Sequence, residues 1–92
     1  MAIQITAVRL DGRLGHEHIA WLWWASDTEG EGENTRAQIV AWIEDSNGTA
    51  YTDDGRGHRA WVAVRTPDRG PKYLQTHADN VWTDNLLALP RR

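Results

Sequence analysis

Three groups of side chains in this sequence are of types that do chemistry or recognition. Tryptophans crowd the stretch HIAWLWWASD, where Trp21, Trp23 and Trp24 fall close together. Rings so concentrated serve as a stacking platform for bases, worth about 1–3 kcal/mol per base, as a protein hot spot, or as the core of a small domain. Arg56, Arg59, Arg65 and Arg69 gather around Trp61 in DGRGHRAWVAVRTPDRG. Arginine over an indole suits a phosphate or carboxylate with cation–π support. The same arginines, balanced by Asp53, Asp54 and Asp68, also describe an ordinary solvated hairpin. His16-Glu17-His18 sets two imidazoles at i and i+2, and His58 or His77 would have to complete a metal site. No ligand-spacing motif supports that arrangement, and the chain has no Cys. No metal and no cofactor is expected.

Catalytic arrangements are weaker still. Ser26 and Ser46 lie in polar segments without a nucleophile-elbow motif. Asp27, Glu29, Glu31 and Glu33 are numerous, but local structure sets no pair of them across a cleft. EGEGEN precedes a helix and is glycine-rich, yet its carboxylates would repel a phosphate. A domain this small rarely holds a deep pocket. The expectation is a protein that is not an enzyme.

The elements that must hold these residues follow from periodicity. AIQITAVRL alternates as Ile3 and Ile5, then shifts phase to Val8 and Leu10, which predicts a strand with a bulge. Residues 16–26 predict a second strand, with Ile19, Trp21 and Trp23 on one face and Ala20, Leu22 and Trp24 on the other. SDTEGEGEN predicts a loop. Thr35 with Gln38 forms a capping-box pattern, with Asn34 as the alternative cap. The helix runs through RAQIVAWIEDS, groups Ile39, Val40 and Ile43 on one face with Trp42 at its shoulder, and stops at Asn47-Gly48. TAYTD and HRAWVAVRT predict a hairpin around DGRG, and KYLQTHAD a last strand. The tail NVWTDNLLALP hooks back through Leu86, Leu87 and Leu89. The fold class is α+β, one helix packed on a mostly antiparallel sheet in the order β-β-α-β-β-β.

On this reading Trp21 and Trp23 meet Ile39, Val40 and Ile43 as core, whereas nothing covers Trp24. Were Trp24 and Trp61 to share an outer face, they would form an exposed aromatic patch. Trp24, Trp61, Arg59 and Arg65 are therefore the expected partner-binding residues.

Composition sets the bounds. The chain has 92 residues, expected to form one domain spanning 1–92. Such a domain buries roughly 60–65% of its unfolded surface. With six Trp, two Tyr and no Phe, the indoles take over much of the usual work of Phe and Leu. No signal peptide or long apolar run is visible, so a cytoplasmic protein without membrane attachment is expected. The formal charge is −3, with nine Arg and one Lys as cations. That balance argues against general coating of nucleic acid. Arg, Ala, Gly and Trp usage points to a GC-rich source such as an actinobacterium or one of its phages.

The segments ITAVRL, TRAQIVAWIE, AYTDDGRGHRAWV and KYLQTHADNVWTDNLLALP, with the paired tryptophans, resemble a family of small bacterial and phage single-domain proteins of unknown function. The resemblance covers nearly the whole chain. It implies no activity and no agreed site residues. The functional expectation is a small interaction or regulatory module that binds a protein partner, or itself as a homodimer, through a sheet face or edge. Nucleic-acid contact through Trp61, Arg59 and Arg65 comes second.

Overall fold

A computed structural model describes residues 2–13 and 15–92. The chain forms β1 (Ala2–Leu10), a short 3₁₀ turn (His16–His18), β2 (Ile19–Ser26), β3 (Gly30–Thr35), α1 (Arg36–Ser46), β4 (Thr49–Asp53), β5 (Arg59–Arg65), β6 (Tyr73–Ala78) and β7 (Val81–Thr83). The seven strands make one sheet in the order β3-β2-β1-β4-β5-β6-β7. Every neighbouring pair is antiparallel except β1 with β4. This is the expected α+β class, with β3 and β7 added to the expected strands.

The sheet is curled. The 3₁₀ turn that leads into β2 contacts β6, although β6 lies four places from β2 in the strand order. In a flat sheet that separation would be about 19 Å. The concave side holds the core: Ile3, Ile5, Val8, Ile19, Leu22, Val62 and Leu74 from strands, Ile39 and Val40 from α1, and Leu86 from the tail. Leu87 and Leu89 pack against the same cluster, so the tail does hook back apolar side in. The tail also joins the sheet. Val8 N–H donates to the Pro90 carbonyl at 3.0 Å, and Arg92 N–H donates to the Val8 carbonyl at 3.1 Å.

Helix α1 begins and ends as its sequence dictates. Thr35 Oγ1 accepts from Gln38 N–H at 3.2 Å, and the Gln38 side chain accepts from Thr35 N–H at 3.0 Å. These two bonds satisfy donors that a helix start otherwise leaves without partners. Asn47 ends the helix in the left-handed conformation, φ 53°. Among the described residues no helix is long and apolar enough to cross a membrane.

Two bulges settle the faces of β1 and β2. Ile5 opposes Trp24 while Ala7 opposes Trp23, leaving Thr6 as an extra residue on β1. Arg9 opposes Trp21 while Leu10 opposes Ile19, leaving Ala20 as an extra residue on β2. Each bulge reverses the alternation beyond it. Ile19 therefore shares the concave face with Leu22 and Trp24. The expected grouping of Ile19 with Trp21 and Trp23 against the helix does not hold. Trp21 and Trp23 point to the convex face, and Trp24 packs against the core beside Trp42.

The stretch expected to be a loop contains β3, and Trp24 explains why. Glycines and glutamates have low strand propensity, so packing must supply what sequence preference does not. Trp24 stands directly opposite Gly32, and its ring lies where a Cβ at Gly32 would be. Trp24 Nε1–H donates to Asn34 Oδ1 at 2.8 Å on the concave side, and Trp23 Nε1–H donates to Glu33 Oε2 at 2.9 Å on the convex side. The two neighbouring indoles thus hold β3 from both faces. An aromatic side chain covering an edge-strand glycine is a recognised way to fix register.

Gly32→Ala is expected to lower stability by about 1–3 kcal/mol, read as a shift in the urea midpoint. In a Trp24→Ala background the same substitution is expected to cost much less, because the clash is with the ring. Equal costs in the two backgrounds would show that the ring does not set the constraint.

Candidate binding face

The convex surface of β4 to β7 carries an aromatic row. Tyr51 opposes Trp61, Trp61 opposes His77, and His77 opposes Trp82. Four rings thus stand on one line across four strands. At ordinary strand spacing that line is about 14 Å long. Tyr51 and Trp61 meet edge to face with centroids 5.7 Å apart, and His77 and Trp82 do the same at 5.7 Å. Edge-to-face contact suits the ring quadrupoles.

Arginines close the row at both ends. The Arg59 guanidinium lies 4.4 Å from the Tyr51 ring centroid, and Arg65 lies 4.2 Å from that of Trp82. Arg59 Nε–H also donates to Asp53 Oδ2 at 3.3 Å. Arg65 Nη1–H donates to Gln75 Oε1 at 2.9 Å, and Gln75 Nε2–H reaches the Thr83 carbonyl at 3.3 Å. The cations are therefore held in place, with stacking on one side of each guanidinium. The rings are not covered: Trp61 is 41% exposed and Trp82 45%. Ala63, His77, Asn80, Val81 and Trp82 border a shallow depression beside the row.

Trp61, Arg59 and Arg65 thus come together as the sequence suggested. Trp24 does not join them. It lies on the concave side under α1, because the bulge at Ala20 puts it on the face of Ile19 and Leu22. Its place on the convex surface is taken by Trp82. Trp82, Tyr51 and His77 escape a linear reading because they lie on three different strands. One signal was present: Asp79 and Asn80 both adopt positive φ, 53° and 64°. A two-residue turn of that type joins a tight hairpin, and DN between HA and VW marks it. Arg56 and Arg69 lie away from the row, in the β4–β5 turn and in the loop before β6.

Trp23, on the same convex side, is already covered. Arg9 and Arg92 lie 5.3 Å and 4.9 Å from the Trp23 ring, and Arg9 Nε–H donates to the Arg92 carbonyl at 2.7 Å. These two guanidiniums occupy that part of the face.

The histidines do not converge. His18 Nδ1 lies 3.1 Å from Asp11 Oδ1, His58 Nδ1 lies 2.8 Å from Asp54 Oδ2, and His77 sits against Trp82. His16 and His18 lie in the 3₁₀ turn, not on a strand. Among the described residues no three His, Asp or Glu side chains stand together as metal ligands. Ser26 Oγ accepts from Thr28 N–H and Glu29 N–H, both at 3.3 Å, which makes it a turn residue of the β2–β3 connection.

The sequence model of a family described as "Protein of unknown function (DUF3892)" matches residues 4–90. The chain belongs to this family. The match runs from Gln4 in β1 to Pro90, whose carbonyl ties the tail to β1. It takes in the whole aromatic row and α1. No curated protein and no solved structure matches.

His16 is a buried titratable group in the 3₁₀ turn that contacts β6. Its Nε2 has no hydrogen-bond partner and lies 3.8 Å from Asp84 Oδ1. Burial lowers its pKa below the ordinary 6.5, and the opposing pull of the Asp84 and Glu17 carboxylates is smaller. The unfolded chain therefore takes up this proton more readily than the folded one. The stability contributed by neutral His16 is full above 6.5 and is lost as the pH falls below it. His16→Met is expected to flatten the pH dependence of the melting temperature in that window. Asp54, held low by the Arg56 backbone N–H and by His58, acts only in the carboxylate range near 3.8. An unchanged slope near neutrality in His16→Met would contradict the assignment.

Proposed function

We propose that this protein is a non-enzymatic binding module whose working surface is the convex row Tyr51, Trp61, His77 and Trp82 with Arg59 and Arg65, and that its partner is a protein. One observation carries the reading: two half-exposed tryptophans are fixed on a line between two arginines that are themselves already stacked. Tyr, Trp and Arg dominate the energetics of protein interfaces. Their conformations here are set by the sheet before any partner arrives, which lowers the entropic cost of docking. Charge favours a protein over nucleic acid. The face offers two guanidiniums, one of them paired with Asp53, on a chain of net charge −3, so few phosphates would be neutralised.

A face is a better interaction surface here than an edge. The free strand β3 carries Glu31 and Glu33, and β7 has only three residues. Charged and very short edge strands discourage strand-to-strand pairing. A homodimer, if formed, would use the row. A GC-rich bacterial or phage cytoplasm is the setting that the composition suits. Single-stranded nucleic acid is the second reading, favoured by rings open to stacking with arginines beside them.

The test is affinity capture with the full chain from a bacterial lysate with and without nuclease, alongside Trp61→Ser, Trp82→Ser and Arg65→Ala, each checked for folding by circular dichroism. A protein bound by the wild type is expected to lose affinity by about 30-fold or more with either tryptophan variant, the scale of a hot-spot residue. Retention by all three variants would contradict the assignment of the face. Capture that disappears with nuclease would move the row to the nucleic-acid reading.

A further inference from the structure

The concave side has a cavity of its own, unrelated to the convex row, where α1 crosses β2 and β3. Its volume is about 150 Å³. Its walls are the indoles of Trp24 and Trp42, with Ile3 and Ile39 between them. Each indole is held by a glycine on one side. A Cβ at Gly32 would strike the Trp24 ring, and a Cβ at Gly48 would strike that of Trp42. Each ring is thus fixed on its glycine side.

The polar groups at the rim divide into occupied and free. Asn34 accepts from Trp24 Nε1–H at 2.8 Å and donates to Gln38 Oε1 at 3.1 Å; that oxygen also accepts from Thr35 N–H at 3.0 Å. These amide contacts are engaged in capping the helix and holding β3. Glu29 differs. It lines the cavity, and its carboxylate is exposed and makes no hydrogen bond or ion pair with the described residues. Among the described residues no Lys or Arg lines the cavity, and Glu29 is the one carboxylate that does; Glu33 turns to the convex face, where it accepts from Trp23 Nε1–H. Among the described residues, the charge at the mouth is therefore that of the Glu29 carboxylate.

We propose that this cavity binds a methylated ammonium group between Trp24 and Trp42, with Glu29 as its counter-ion. Aromatic faces attract a cation through the ring quadrupole, and a methylated ammonium gives up its water far more cheaply than a bare one. An anion would meet Glu29 without compensation. A metal ion would find a single carboxylate among apolar walls. A neutral apolar group would fill the space but gain nothing from Glu29, so selection for charge is the distinguishing property. The site does not depend on the convex row, and either can fail without the other.

The test uses the full chain and follows the indole N–H resonances by nuclear magnetic resonance. Choline is titrated beside its uncharged tert-butyl isostere, in which carbon replaces the ammonium nitrogen. Choline is expected to shift Trp24 and Trp42 while leaving Trp61 and Trp82 in place, with an affinity about tenfold above the isostere. Glu29→Gln, a change on the exposed rim, is expected to weaken choline several-fold and leave the isostere unchanged. A peptide carrying trimethyllysine and its unmethylated counterpart separate the two sources of such a group. Tighter binding of the methylated peptide than of choline assigns a protein side chain, and binding of choline alone assigns a free small molecule. Absence of any shift at Trp24 and Trp42 with choline and with the methylated peptide would overturn the proposal. So would equal binding of choline and its isostere.

Discussion

The antiparallel ladder between β1 and β2 carries one extra residue on each strand, Thr6 and Ala20, and most of the structure depends on that pair of irregularities. A regular ladder would turn alternate residues of both strands to the same side throughout. With the bulges, Ile3, Ile5 and Val8 of β1 meet Ile19 and Leu22 of β2 in one core. Bulges also increase local twist, which fits the curl that brings the 3₁₀ turn against β6. The same register sends Trp23 outward and Trp24 inward. Those neighbouring residues then hold opposite faces of β3, a strand whose own composition would not form one.

The indoles do three separate tasks. Trp24 and Trp42 close over glycines and border the concave cavity. Trp23 fills the convex face between Arg9 and Arg92 and binds Glu33. Trp61 and Trp82 remain half open in the row. A short chain without phenylalanine obtains core volume, strand registration and an exposed aromatic surface from one residue type. Glu29 stands at the cavity mouth, Glu33 turns to the convex face to hold Trp23, and the arginines of the row lie on that convex face as well.

Much of this organisation could be read from the sequence, and the rest could not for definable reasons. The helix was legible because Thr35, Gln38 and Asn47 carry their own local chemistry. The β4–β5 hairpin was legible because alternation there is uninterrupted, which also put Trp61, Arg59 and Arg65 on one face. The phase change from Ile5 to Val8 betrayed the bulge in β1. The bulge at Ala20 left no such trace, since every neighbour is apolar and either phase looks plausible. That one residue inverted the reading of Trp21, Trp23 and Trp24. Strand β3 was hidden because its stability comes from Trp24 and Trp23 on the adjacent strand. The row was only partly visible, because Tyr51, His77 and Trp82 join Trp61 through pairing across strands.

The division of Trp23 and Trp24 between the two faces is the claim on which the cavity and strand β3 both rest. Nuclear Overhauser contacts from the two indole rings test it directly. The Trp24 ring should show contacts to Ile39 and Trp42 of α1 and to Gly32, and the Trp23 ring to Arg9 and Arg92. Contacts from the Trp23 ring to Ile39, with the Trp24 ring seeing only convex-face neighbours, would contradict the account.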